Sequence, residues 1–279
     1  MRAGLIVVVS IVAWSHPAVQ VVIDSGGAVY YSDTTQVWRI APDGSKSVAV
    51  PRVHAHELWV DERDNLFGEH LEYHERSGGG SPWWSHRIWR RSPEGQVVEF
   101  LPVRRGFLQD YRDFSFQRDR HGAMYWSITH SAATQLILRK ARSGAPVETL
   151  ARLPVRQVGW TSALPNGGVA VADHGSLIVV APDGAIRRIG PVTKKRERHS
   201  VMGVWADGAG NLYAADTSGR AVKKISPAGA VLPVVTSEAP WAPTGGAVAA
   251  DGALWILEAA PSNAQRIVRV AATGERTVF

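Results

Sequence analysis

The sequence predicts an all-β fold, a six-bladed β-propeller with four antiparallel strands in each blade. Three observations carry that prediction. A unit of roughly 44 residues recurs along the chain, each unit holds four short runs of alternating polarity, and turn-forming residues are spread throughout, with Gly 27 and Pro 16 over 279 residues.

The first unit, "VQVVIDSGGAVYYSDTTQVWRIAPDGSKSVAV" (19–50), opens with an apolar strand ending at Asp24 and turns through Gly26 and Gly27. It returns as a strand ending at Asp33, then runs through "VWRI" to a Pro-Asp-Gly turn. The second unit begins "HELWVDERDNLFGEH" (56–70), with Asp61 in the turn position of Asp24. Looser copies follow at 114–150, 161–190 and 245–279, and a close one at 202–235, "MGVWADGAGNLYAADTSGRAVKKISPAGAVLPVV". Alternating apolar and polar positions mark half-buried antiparallel strands, and four strands per unit make one propeller blade. A helical solenoid is excluded, because no segment sustains a 3.6-residue apolar period.

With 45% hydrophobic residues and no linker-like stretch, residues 16–279 read as one domain. The absence of cysteine excludes a disulfide framework, a thiolate zinc site and a cysteine nucleophile, so any metal must be held by His, Asp or Glu. The net charge of +6 gathers in runs such as "HRIWRR" (86–91) and "KKRER" (194–198). Acidic residues are interspersed and no nucleic-acid motif accompanies the runs, so they read as solvated loops and nucleic acid is not an expected partner. Residues 1–15 read either as a secretory signal peptide or as a strand closing the fold. The apolar run from Ala3 to Trp14 is too short to span a bilayer, which takes about 20 residues. A cleaved signal ending between residues 13 and 18 would place the mature chain in the periplasm or outside the cell; otherwise it is cytoplasmic. A monomer is expected.

The segments "DGAGNLYAAD" (207–216), "SGGAVYYSD" (25–33) and "DGALWILE" (251–258), with "VWRIAPDG" (37–44) and "VKKISPAG" (222–229), resemble the NHL-repeat and SMP-30/gluconolactonase-like group of six-bladed propellers. The likeness covers the chain beyond residue 16. It implies a fold shared by lactonases, lyases, hydrolases and binding scaffolds, so activity must be argued from the site.

In a blade the innermost strand starts at one mouth of the central channel, and the second strand returns to that mouth. Aligning the units on their turn aspartates places His16 and His199 before innermost strands, with His54 and His56 in the same zone from blade two and Asp113 from blade three. The end of the second strand reads Asp33, His70, Ile128, Asp173, Asp216 and Glu258, so blade two carries a histidine where most blades carry an acid. Two residues apart on a strand, His54 and His56 face the same way about 6.6 Å apart. Together with His70 they form the candidate set for a divalent ion, zinc, calcium or manganese. Glu69, on the other face from His70, is the candidate general base, with His199 and Asp113 as further candidate catalytic groups. Trp83, Trp84, Trp160, Trp241 and His16 are the candidate substrate-binding residues at the rim.

The aspartates that end the second strands are expected to cap turns, and Trp38, Trp59, Trp89, Trp205 and Trp255 to fill the spaces between blades. "HELWV" has Val60 where a His-Glu-x-x-His motif needs its second histidine, and no nucleophile elbow or nucleotide-binding loop occurs, so no nucleotide cofactor is expected. Two functions remain open. One is a metal-dependent enzyme of the lactonase, hydrolase or lyase type. In SMP-30-like relatives the ion is held mainly by Glu, Asn and Asp, and in this respect the histidine-rich chain looks more like the amidating-lyase relatives. The other is a non-catalytic propeller that binds a sugar, peptide or protein at the same mouth.

Overall fold

The computed structural model describes residues 17–74, 83–107, 113–119, 121–129, 136–141, 145–153, 160–195, 197 and 199–279, and among them it has twenty-four strands and no helix. Blade one comprises β1 (Val21–Ile23), β2 (Val29–Ser32), β3 (Val37–Ile40) and β4 (Lys46–Val50). Blade two comprises β5 (Leu58–Val60), β6 (Leu66–His74), β7 (Trp83–Arg91) and β8 (Val97–Phe107). Blade three comprises β9 (Asp113–Arg118), β10 (Met124–Thr129), β11 (Leu136–Ala141) and β12 (Glu148–Leu153). Blade four comprises β13 (Thr161–Ala163), β14 (Val169–Asp173), β15 (Ser176–Val180) and β16 (Ile186–Ile189). Blade five comprises β17 (Val201–Ala206), β18 (Leu212–Asp216), β19 (Ala221–Ile225) and β20 (Val231–Thr236). Blade six comprises β21 (Ala242–Val248), β22 (Leu254–Ala259), β23 (Gln265–Val270) and β24 (Arg276–Val278).

Each blade is a four-stranded antiparallel meander in sequence order, as the repeat predicts. The innermost strands neighbour one another in a closed cycle, β1–β5–β9–β13–β17–β21 and back to β1. Among the described residues no strand is exchanged between the first and last blades, and β1 rests against β21. Residues 1–15 lie outside the described residues, and every sheet has its four strands without them.

Six hydrophobic clusters fill the six spaces between blades. Trp89 and Leu58 of blade two meet Tyr30 of blade one, Phe116 of blade three meets Trp59 and Phe67, and Trp255 and Leu257 of blade six meet Val29 and Tyr31. Trp59, Trp89, Trp205 and Trp255 are all buried, and Trp38 donates its indole N–H to Asp33 Oδ2 at 2.7 Å, so the strand tryptophans are packing residues as expected.

The repeated aspartate has a local cause. In blades one, three and five its carboxylate accepts backbone N–H groups of its own turn, and its Oδ2 accepts the hydroxyl of a tyrosine six residues on: Tyr30 on Asp24 at 3.0 Å, Tyr125 on Asp119 at 3.0 Å and Tyr213 on Asp207 at 3.2 Å. The fourth turn residue takes a left-handed backbone, φ 83° at Gly27, 85° at Gly122 and 81° at Gly210, which explains the glycine there. Blade two departs from the pattern twice, with Asp64 at φ 58° and Phe67 replacing the tyrosine.

At the axis the ring closes on residue 19. A Cβ at Gly245 would lie 2.0 Å from the Val19 carbonyl oxygen, and one at Gly203 would lie 2.4 Å from it, so blades five and six approach blade one through bare backbone. Val19 N–H in turn donates to His56 O at 3.0 Å, and Gln20 Nε2 donates to Gln117 Oε1 of blade three at 2.8 Å. We expect Gly245→Ala to lower the unfolding free energy by about 3 kcal/mol through overpacking against a carbonyl. Gly208→Ala, whose Cβ would have nothing within 4 Å, should leave the denaturant midpoint nearly unchanged. Equal midpoints for the two variants would contradict the axial closure.

Candidate functional site

The mouth at the start of the innermost strands gathers blade two's histidines. His54 and His56 precede β5, and their Nε2 atoms stand 3.3 Å apart with the rings edge to face, centroids 4.7 Å apart. One neutral imidazole donates its Nε2–H to the lone pair of the other. Trp160, which precedes β13 in blade four, lies against His56 with ring centroids 5.3 Å apart. Side chains from blades two and four therefore meet at the axis. Trp160 is 5% exposed and clusters with Val19 and Met202, which makes it the floor of the mouth rather than a rim.

His70 ends the alternation Phe67–Glu69 and Gly68–His70 on the face that returns to His54. Its Nδ1 accepts the backbone N–H of His54 at 3.0 Å. Burial, and then the neighbouring His70, push the His54 imidazole below the ordinary histidine range. Burial, and then Arg87, do the same to His70, against the weaker opposing pull of Glu72 and Glu69. Both rings are therefore neutral at pH 7.

That hydrogen bond decides the fit of a metal. Two imidazole nitrogens on one tetrahedral ion at ~2.1 Å stand ~3.4 Å apart, which the His54–His56 spacing matches. His70 supplies no third ligand: a neutral ring accepting at Nδ1 carries its proton on Nε2, so neither nitrogen offers a lone pair to the same ion. Among the described residues no group of three or more His, Asp or Glu is arranged to hold a metal ion. The expected set of His54, His56 and His70 is thus corrected to a two-nitrogen clip, with His70 as the group that positions His54.

Glu69 is also corrected. Strand alternation turns it away from His70 and into the space between blades two and three, where its Oε1 lies 2.9 Å from His86 Nδ1 and both side chains are buried. Phe116 covers His86, ring centroids 5.3 Å apart. Glu69 is thereby a partner of His86 and does not face the His54–His56 pair. Next to it stands a carboxylate that the sequence reading passed over. Continuing the register of Leu58 opposite Gly68 and Trp59 opposite Phe67 puts Glu57, 2% exposed, across from Glu69. Its one sequence signal was its place immediately before β5.

His199 lies before β17 with φ 66°, at the mouth end of blade five's innermost strand. Trp241 precedes β21, its ring covered by the Arg266 guanidinium at 4.3 Å, and Arg266 Nε donates to Glu258 Oε2 at 2.7 Å. Trp83 and Trp84 lie in β7 opposite His74 and Tyr73, and Asp113 opens β9 opposite Ile128; their side chains, like all of His16, lie outside the described residues. The acids ending the other second strands cap turns or pair locally. Asp33 Oδ1 accepts the N–H groups of Thr35 and Gln36, Asp216 Oδ1 accepts that of Gly219, and Asp173 pairs with Arg188.

No family model matches the chain, and no curated protein matches it. Solved structures do. Virginiamycin B lyase from Staphylococcus aureus superposes with a TM-score of 0.57 at 10% identity, over 94% of this chain and 84% of that one. Regucalcin from Agrobacterium tumefaciens, described as a calcium-binding protein, gives 0.58 at 14% identity over 88% and 84%. A gluconolactonase from Xanthomonas campestris gives 0.53 at 15% identity over 86% and 83%. At these identities the likeness shows a shared propeller fold.

The lowered His54 and His70 make stability depend on pH with a definite sign. The unfolded chain holds their protons more tightly, so the stability these neutral rings contribute is complete above the ordinary histidine value of 6.5 and is lost as pH falls through the lower folded values. Thermal melts between about pH 8 and about pH 5 should show a shallower acid loss in a His54→Gln, His70→Gln double variant than in the parent. Identical slopes would contradict the assignment.

Proposed function

We propose that the chain is a propeller enzyme of the lactonase, hydrolase or lyase type, working at the His54–His56 mouth. The observation that carries this reading is the pair of imidazole nitrogens 3.3 Å apart at the axis, one of them pushed toward its neutral form by burial. Neutral His54 serves as the base, taking a proton from a water or from carbon beside an ester carbonyl. His56, hydrogen-bonded to it, returns a proton to the departing oxygen. His70 holds the His54 backbone from below, and Trp160 holds the His56 ring by contact. His199 and Trp241, at the mouth ends of blades five and six, are proposed to face the substrate. Because the described residues offer two nitrogens and no third ligand, this reading routes no step through a metal.

The solved structures lend the reaction classes. One of the similar virginiamycin B lyase structures, TM-score 0.57 and 10% identity, is of a catalytically inactive histidine-to-alanine variant with quinupristin. In that protein a histidine is needed for activity, and quinupristin or a lactone is the substrate to try first.

The purified chain should be incubated with gluconolactone, simple γ- and δ-lactones and quinupristin, with products read by mass spectrometry. Hydrolysis adds one water to the substrate mass, whereas elimination opens the ring at unchanged mass. We expect turnover of at least one substrate, reduced about 100-fold or more in His54→Ala and in His56→Ala, the range general acid–base groups supply. Binding without turnover across the panel, or turnover indifferent to both substitutions, would overturn the proposal in favour of a binding propeller.

A further inference from the structure

We propose that the cleft between blades three and four, on the face opposite the histidine mouth, binds a small organic anion whose carboxylate or phosphate head is held by Lys140, with Arg118 adding positive charge at the cleft's edge. The cleft measures about 610 Å³, within the span of small-molecule sites, and its floor is Ala123 and Tyr125 with Pro165 and Pro182 as the opposite wall. These residues belong to the first-to-second and third-to-fourth strand turns, which places the cleft at the far end of the blades from His54.

Two cations point to the charge of its occupant. Lys140 on β11 lies opposite Tyr125 on β10, is only 4% exposed, and has its ammonium 5.3 Å from the centre of the Tyr125 ring. Arg118, at the end of β9, rests its guanidinium on Phe67 and Phe100 at 4.7 and 5.1 Å, and its buried Nε meets no hydrogen-bond acceptor among the described residues. The guanidinium reaches across the turn because Gly122 has no side chain; a Cβ there would lie 2.9 Å from Arg118 Nη2. Among the described residues no carboxylate forms an ion pair with either cation.

The acid that lines the cleft, Asp119, is committed elsewhere. Its Oδ1 accepts the N–H groups of His121 and Ala123 at 3.0 and 2.9 Å, and its Oδ2 accepts the Tyr125 hydroxyl at 3.0 Å. Asp61 likewise turns its carboxylate to its own loop, on Arg63 and Asn65. A buried ammonium is costly unless an anion accompanies it, and aromatic faces compensate only in part. The cleft has room for that anion and an apolar wall for its body. A second hollow of about 260 Å³ between blades two and three shares Arg118, so one guanidinium edges both.

Isothermal titration of the full chain in dilute chloride buffer tests this with two probes, citrate for a carboxylate head and glucose 6-phosphate for a phosphate head. Glucose serves as the neutral control. We expect saturable binding of at least one anion and none of glucose, weakened about tenfold in Lys140→Met, the loss typical of one charge-assisted contact. Pro182→Glu adds an acid at the exposed rim without touching the core, so it should weaken binding as much even if Lys140→Met fails to fold. His54→Ala should leave the affinity unchanged. Failure of both anions to bind below about 10 mM, or binding that survives Pro182→Glu, would overturn the proposal.

Discussion

The approach of the Val19 carbonyl to Gly203 and Gly245, which leaves no room for a side chain at either position, is the constraint on which the rest of the molecule depends. Among the described residues, side-chain packing and such contacts hold the first blade against the last. Here the same residue 19 reaches the other way and donates its N–H to the carbonyl of His56. The geometry of the mouth is therefore set by the closure of the ring. Where blade one is held, His56 is held, and with it the imidazole of His54 and the indole of Trp160.

Blade two is built differently from its neighbours, and the differences converge on that mouth. Its strands β6, β7 and β8 span 9, 9 and 11 residues, against 4, 4 and 5 for β2, β3 and β4 of blade one. Where blades one and five place an acid that caps its own turn, Asp33 and Asp216, blade two carries His70 within the longer β6, and His70 accepts from the backbone of residue 54. A turn cap has become a support for a side-chain pair. The opposite face of the same strand buries Glu69 against His86, so one strand carries two distinct polar arrangements separated by its own pleat.

Much of this was legible in the sequence. The Asp-to-Tyr spacing of the turns, the strand alternation and the period gave blade number, strand number and order, because each rests on contacts within a few residues of one another. The propeller topology led to His54 and His56 being expected at one mouth, with Trp160 expected at its rim. What the sequence did not disclose was which nitrogen of His70 would be engaged, since that depends on a hydrogen bond to a backbone group sixteen residues away. It likewise gave no sign that Glu69 would meet His86 or that Lys140 would be buried beside a cleft, because both depend on how adjacent blades face one another. The fit of an ion rests on one such detail: among the described residues no third ligand joins His54 and His56, because His70 Nδ1 is engaged by the backbone N–H of His54.

The site turns on a neutral His54 beside His56, held by an Nε2-protonated His70. Nitrogen-15 NMR of the imidazoles across a pH titration measures this directly, since it reports the tautomer and the protonation of each ring. The expected result is that His70 carries its proton on Nε2 and that His54 and His70 titrate below the ordinary histidine range. A His70 protonated on Nδ1, or a His54 that titrates as an exposed histidine does, would contradict it.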